Sequence, residues 1–219
     1  KAVQELEFEE AAVLRDTIRA IWRVSRQRNS IPEIETGRDN NWETLNRLQE
    51  HLKLPTLPWR IDGFDISHTS GKETVGVVVV FEQGYPNTSL YRRFNIRTVV
   101  GIDDFRSIKE TLLRRYRRCI DGQEPMPQLI LIDGGSVQLE FAMEAMKELE
   151  LTDIPIISLA KEEEEIYIPD RKEPLRLDRT DPALKLLQYV RDESHRYAIT
   201  SHRAARSRNF RRSKLEEVP

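Results

Sequence analysis

The spacing of apolar residues changes along the chain and divides it into a helical front and a mixed remainder. Between residues 1 and 28, Ala11, Leu14, Ile18 and Ile21 recur at spacings of three and four, which predicts a helix. Acids in "EFEEA" precede bases in "RDTIRAIWRVSRQR", as the helix dipole favours. The apolar stripe is narrow, so this helix needs a partner helix to be stable. Residues 29–40, "NSIPEIETGRDN", interrupt the pattern with Pro, Gly and Asn and read as a linker. Residues 41–58 hold a second short helix, with Trp42, Leu45, Leu48 and Leu52 on one face, ended by "PTLP" at 55–58.

From residue 59 the period shortens. "RIDGFDI", "TVGVVVVF" and "SLYRRFNI" read as three strands of an antiparallel meander; the middle one is apolar enough to be buried on both faces, and the third is an edge strand. A helix over residues 103–118 follows, opened by Asp103 and Asp104 and closed by "RRYRR". "PQLILIDGG" is a short buried strand ending in a glycine turn, "VQLEFAMEAMKELEL" an amphipathic helix, and "DIPIISLA" a further buried strand. "KEEEEIYIPDRKEPLRL" reads as a hairpin of two weak strands. A long helix then starts with Pro182 in its first turn. Three antiparallel strands followed by alternating helix and strand is the order of an α/β, ribonuclease H-like domain, a three-layer fold with a mixed five-stranded sheet. That domain is expected over residues 59–206, with a basic tail over 207–219.

Composition narrows the class. With 219 residues and 38% hydrophobic content, the chain can build one good-sized core plus extensions outside it. A single cysteine, Cys119, excludes an internal disulfide and any multi-cysteine metal site, which points to a reducing cytoplasm. No apolar run is long enough to span a bilayer and the charged N-terminus does not read as a signal peptide, so a soluble, cytoplasmic protein is expected. The formal net charge of −2 at pH 7 conceals a basic tail of Arg203, Arg206, Arg208, Arg211, Arg212 and Lys214. Six cations without an intervening acid suit phosphate contacts that give affinity for DNA without sequence preference.

Two aspartates stand where strands end. Asp65 lies within the first strand of the meander and Asp133 closes "LILID"; on neighbouring strands their carboxylates would converge at one sheet edge. Two hard oxygen donors at one point suit Mg²⁺ or Mn²⁺, which would activate water for attack on a phosphate. Taken alone, Asp133 reads as the cap of the next helix. Asp65 is harder to explain that way, because a carboxylate in an apolar strand destabilises the fold unless it is paired or bound. Of the four histidines, His51, His68, His195 and His202, the last two lie seven residues apart on one face of the final helix, which must cross the edge bearing the aspartates. The spacing does not choose between them.

Other clusters have blander readings. The four glutamates at 162–165 alternate faces if extended, so a solvated turn is expected, and "RRYRR" at 114–118 reads as a solvated helix end. Gly134 and Gly135 permit the strand-to-helix turn, and the following helix N-terminus is open to a phosphate.

"GFDISHTSGKETVGVVVVFEQGYP", "YRRFNI", "LILIDGG" followed by Gln138, "LAKEEEEIYIP", "DPALKLLQYVRDESHRYAITSHR" and "KLEEVP" resemble, over residues 60–219, the C-terminal endonuclease half of the UvrC family of bacterial nucleotide excision repair. "ELEFEEAAVLRDTIRAI" at 5–21 resembles the UVR motif, which implies docking to UvrB through Leu14, Ile18 and Ile21. The resemblance implies a ribonuclease H-like endonuclease that cuts damaged double-stranded DNA 5′ to a lesion with Mg²⁺ or Mn²⁺. It implies Asp65, Asp133, His195 and Asp104, from "DISH", "IDGG", "RDESH" and "IDDF", as catalytic residues, with Asp65 and Asp133 holding the metal. Departures include Ser136 and Val137 where a small flexible pair is usual, and Leu90 where an acid is common. A shortened layout is expected, without the family's N-terminal nuclease domain or the helix-hairpin-helix module that would follow "LEEVP", able to make one of the two cuts. Two other classes fit parts of the pattern. A non-catalytic module docking UvrB or DNA has no need of the carboxylates, and a transposase would want a third carboxylate where His195 stands.

Overall fold

The computed structural model describes residues 38–68, 74–97 and 103–216, with side chains between residues 41 and 200 of those spans. The expected N-terminal helix, with Leu14, Ile18 and Ile21, lies outside the described residues. The chain divides into two compact units, Lys1–Arg38 and Asp39–Pro219.

Helix α1, Arg38–Leu52, starts inside the stretch read as a linker. It ends before "PTLP": Lys53 turns left-handed at φ 52°, and the amide of Leu54 donates to the carbonyl of Gln49 at 3.0 Å. Strands β1 (Arg60–His68), β2 (Thr74–Glu82), β3 (Tyr85–Pro86) and β4 (Arg92–Asn95) follow. Next come helix α2 (Asp104–Ile120), β5 (Leu129–Asp133), α3 (Ser136–Glu148), β6 (Ile156–Ala160), β7 (Glu165–Tyr167) and α4 (Pro182–Glu216).

The strands form one mixed sheet in the order β3-β2-β1-β5-β6-β7, with β4 also on the outer side of β2. β1 pairs antiparallel with β2 and parallel with β5, and β5 pairs parallel with β6. The sheet has seven strands where five were expected. The two extra members are short: β3 continues the β2 edge beside Phe81 and Glu82, and β7 pairs antiparallel with β6 on the far edge. The expected second half of the charged hairpin contributes only an isolated bridge, Leu175 to Ile166.

Both faces of the sheet are covered. On one, α1 and α4 bury Leu45, Leu48, Leu184, Leu187 and Val190 against Ile61, Val79, Leu129, Leu131 and Leu159. On the other, α2 and α3 bury Ile108, Leu112, Leu139 and Met146 against Phe64, Val78, Val80, Ile130 and Ile132. Each such side chain contributes roughly 1.5–3 kcal/mol on burial. The alternation of β1 therefore sends Ile61, Gly63 and Asp65 toward α4 and Asp62 and Phe64 toward α2.

The α2 side also holds a buried ionic network. Arg115 donates to Asp62 Oδ2 at 3.2 and 3.1 Å, Arg60 donates to Asp62 Oδ1 at 3.2 Å, and Glu124 accepts from Arg115 and, at 2.9 Å, from Arg92. "RRYRR" is accordingly not a solvated helix end as a whole. Arg115 and Tyr116 are fully buried, because the helix turns them toward β1 while Arg117 and Arg118 remain exposed. Among the described residues, no helix is long and apolar enough to cross a membrane.

Candidate active site

Gly63 sets the geometry. A Cβ built there would lie 2.5 Å from Val190 Cγ1, so α4 crosses β1 at closest approach over this residue. Two residues on, β1 has advanced about 6.6 Å to Asp65, and five residues on, α4 has advanced about 7.5 Å to His195. The near-equal steps bring the histidine over the aspartate: His195 Nδ1 lies 3.4 Å from Asp65 Oδ2.

The third member comes from the parallel neighbour. Phe64 is in register with Ile132, so Asp65 and Asp133 are at the same level on adjacent strands. After Asp133 the chain turns sharply at Gly134, whose φ of 144° suits glycine and whose added Cβ would strike Gln138 Cδ at 2.8 Å. The Gln138 side-chain oxygen accepts from the Gly135 amide at 3.1 Å, and Ser158 Oγ donates to the Gly135 carbonyl at 3.0 Å, so β6 and α3 both fix the turn. One ligand atom each from Asp65, Asp133 and His195 lies within 4.8 Å of the others.

Charge is only partly balanced there. Asp65 is 7% exposed, and its Oδ2 has no hydrogen-bond partner: His195 is close enough for an ion pair but lacks hydrogen-bond geometry. Burial, and then the neighbouring Asp133 carboxylate, push the Asp65 carboxyl up to about 6, against the opposing pull of His195 and Lys161. Burial also raises Asp133, while Lys161, Arg191 and His195 pull it down. A buried, orphaned carboxylate oxygen beside a second carboxylate and an imidazole is a donor set with room for a hard divalent cation. Mg²⁺ and Mn²⁺ both fit it by chemistry.

The other sequence candidates are placed elsewhere. Asp104, in the first turn of α2, pairs with Nε2 of His68 at the end of β1, and His68 Nδ1 lies 3.0 Å from Thr74 Oγ1. Asp104 is not one of the three clustered groups. His51 pairs with Asp181 at 2.9 Å. Arg203, Arg206, Arg208, Arg211, Arg212 and Lys214 fall on the continuing backbone of α4, and their side chains, like that of His202, are outside the described residues.

The sequence reading missed Lys161 and Arg191. Lys161 Nζ lies 3.8 Å from Asp133 Oδ2, and Arg191 donates to Glu164 at 2.7 Å. The signal for Lys161 was its register. Leu159 on β6 pairs with Asp133, and Lys161 is the next residue on that face. Glu162, Glu163 and Glu164 form the expected turn, with Glu164 tied down by Arg191, but Glu165 opens β7 and pairs with Arg176.

Residues 49–199 match the family model for the UvrC RNase H endonuclease domain, and residues 1–21 match that for the UvrB/UvrC motif. The chain belongs to the UvrC family. It is 49% identical over 173 residues to the UvrABC system protein C of Koribacter versatilis, covering 78% of this chain and 28% of that protein. The UvrABC system protein C of Methanosarcina acetivorans is 46% identical over 181 residues, covering 83% and 35%. This member thus spans about a third of the length of these UvrC relatives. Among solved structures, endonuclease V of Streptomyces avermitilis aligns with a TM-score of 0.44 at 14% identity, over 80% of this chain and 95% of that one.

Proposed function

We propose that Asp65, Asp133 and His195 form the centre of a divalent-metal-dependent endodeoxyribonuclease that hydrolyses a phosphodiester bond 5′ to a lesion in nucleotide excision repair. The observation that carries this reading is the convergence of one ligand atom each from Asp65, Asp133 and His195 within 4.8 Å, with Asp65 Oδ2 buried and in an ion pair with His195 that lacks good hydrogen-bond geometry. A bound Mg²⁺ or Mn²⁺ supplies positive charge to the scissile phosphate and makes water a stronger acid. The chain's own part is positional. Asp65 and Asp133 are held at one level by the parallel pairing of β1 and β5. His195 is fixed by the packing of Val190 on Gly63 and completes the donor set from the open side, where its imidazole is half exposed.

Asp104 acts outside the metal set on this reading, through its pair with His68, which ties the end of β1 to the start of α2. Arg203, Arg206, Arg208, Arg211, Arg212 and Lys214 would hold DNA phosphates, and Leu14, Ile18 and Ile21 would dock a UvrB-like partner. The family match over residues 1–21 supports that docking. The test is incision of a lesion-bearing duplex with Mn²⁺ or Mg²⁺, with the partner protein present and absent. Asp65→Asn should abolish cutting and leave DNA affinity near that of the parent; a variant that still cuts would overturn the assignment.

A further inference from the structure

We propose that Lys161 is a substrate ligand of the same site, binding a non-bridging oxygen of the phosphate that the metal centre receives. The inference rests on the nuclease reading for its substrate class, and its argument adds Lys161, Glu164 and Arg191 to the Asp133 already placed there.

Lys161 is the first residue after β6, on the face that Leu159 shares with Asp133, and its Nζ reaches within 3.8 Å of Asp133 Oδ2. The turn that carries it is pinned at its other end. Glu164 adopts a left-handed φ of 54° and accepts from Arg191 at 2.7 Å. Arg191 lies one helical turn before His195 on α4, so one helix holds both the histidine and the anchor of this turn.

Charge separates the two cations. Among the described residues, the guanidinium of Arg191 is taken up by Glu164 and by Asp192 at 3.0 Å, and it is only 7% exposed. Lys161 is 54% exposed and shares the partner it has, Asp133, with the metal site. When a divalent cation neutralises Asp65 and Asp133, the ammonium loses its counter-charge while staying at the rim. An arriving phosphodiester brings one negative charge to that point. A lysine acting as a point charge on a phosphate needs no more than this placement.

The bland alternative is that Lys161 only neutralises Asp133 until the metal arrives. Both readings predict that Lys161→Met binds Mn²⁺ as tightly as the parent or more tightly, because a competing cation is gone. They part on phosphate. The probe is thymidine 5′-monophosphate, titrated into the Mn²⁺-loaded protein by calorimetry, with Mn²⁺ affinity and melting temperature measured on the same preparations. The expected result is phosphate affinity about tenfold weaker in Lys161→Met and near the parent's in Lys161→Arg, with unchanged melting. Incision by Lys161→Met should fall roughly a hundredfold at saturating Mn²⁺.

Parental phosphate affinity in Lys161→Met would overturn the proposal, as would a parallel loss of Mn²⁺ binding, which would make Lys161 a support of the metal site. If the parent fails to cut while the phosphate result holds, the nuclease reading falls and the phosphate ligand stands. If the parent cuts and Lys161→Met cuts equally well, the reverse follows.

Discussion

Strand β1 carries two buried aspartates three residues apart, and the two faces of the sheet treat them in opposite ways. Asp62, on the α2 side, is fully buried and receives hydrogen bonds from Arg60 and Arg115, whose further charge is met by Glu124. Asp65, on the α4 side, is nearly as buried but faces another carboxylate, and its Oδ2 has only the 3.4 Å ion pair with His195, without good hydrogen-bond geometry. Burial is equally unfavourable for either charge, so the difference lies in what the fold supplies in return. A carboxylate that the protein itself neutralises is part of the architecture. One left short of positive charge marks where something outside the chain is meant to bind.

The largest expected effect tests the structural half of this comparison. Asp62→Ala would leave Arg60 and Arg115 buried without their shared counter-ion, which should destabilise the fold by about 3–5 kcal/mol in urea denaturation. A loss below about 1 kcal/mol would mean that water reaches the arginines or that Glu124, which already pairs with Arg115, suffices, and the contrast between the two faces would weaken.

The contrast was only half legible in the sequence. Asp65 stood out because it interrupts an apolar strand, yet the same argument applies to Asp62, which "RIDGFDI" shows just as plainly. What separates them is the partner on each face, and no local pattern announces that Arg115, from a run that reads as a solvated helix end, turns inward to meet Asp62. The pairing of Asp65 with Asp133 was readable, since both sit near the ends of apolar strands. Spacing on the helix left His195 and His202 open, and the resemblance of "RDESH" pointed to His195; the approach of Val190 to Gly63 is the packing that brings that residue to Asp65. The core strands were clear from their apolar runs and β7 was half of the expected weak hairpin, whereas β3, two residues long, is too short to leave a periodic signal. Lys161 was hidden among acids, which read together as solvent-facing.

The functional half of the comparison can be tested by pH. Asp65 is raised from 3.8 to about 6 in the folded protein, so between these values the native state holds the proton more tightly than the unfolded chain. Stability from this group is fully present below pH 3.8 and is lost as pH rises through about 6. A shift of this size corresponds to a loss of up to roughly 3 kcal/mol. Subtracting the urea-derived stability profile of Asp65→Asn from that of the metal-free parent should expose that fall. A flat difference would mean that Asp65 is neutralised within the fold after all.

Metal should reverse the trend. Mn²⁺ binds the ionised carboxylates, so at a concentration a hundredfold above its dissociation constant it should stabilise the parent by about 2.7 kcal/mol. Proton competition should weaken that gain below about pH 6, where Asp65 takes up its proton. Thermal melting with and without Mn²⁺ at pH 5 and pH 7.5 measures both effects. Equal stabilisation of Asp65→Asn and the parent would place the ion elsewhere.

The smallest expected change in stability is also the most specific. Asp65→Asn keeps the shape of the side chain and removes a charge that the apo fold does not balance, so at pH 7.5 the metal-free variant should be more stable than the parent by on the order of 1–2 kcal/mol. The gain is smaller than the pH profile alone suggests, because the amide still has to bury a polar group beside Asp133. The same substitution at Asp62 should act in the opposite direction, since it removes the one carboxylate charge that Arg60 and Arg115 share, across hydrogen bonds of 3.1–3.2 Å. The decisive observation is the sign. Stabilisation at Asp65 together with loss of incision is the signature of a site held under strain for a ligand. Destabilisation at both positions would make Asp65 a structural charge like Asp62, with His195 as its sufficient partner.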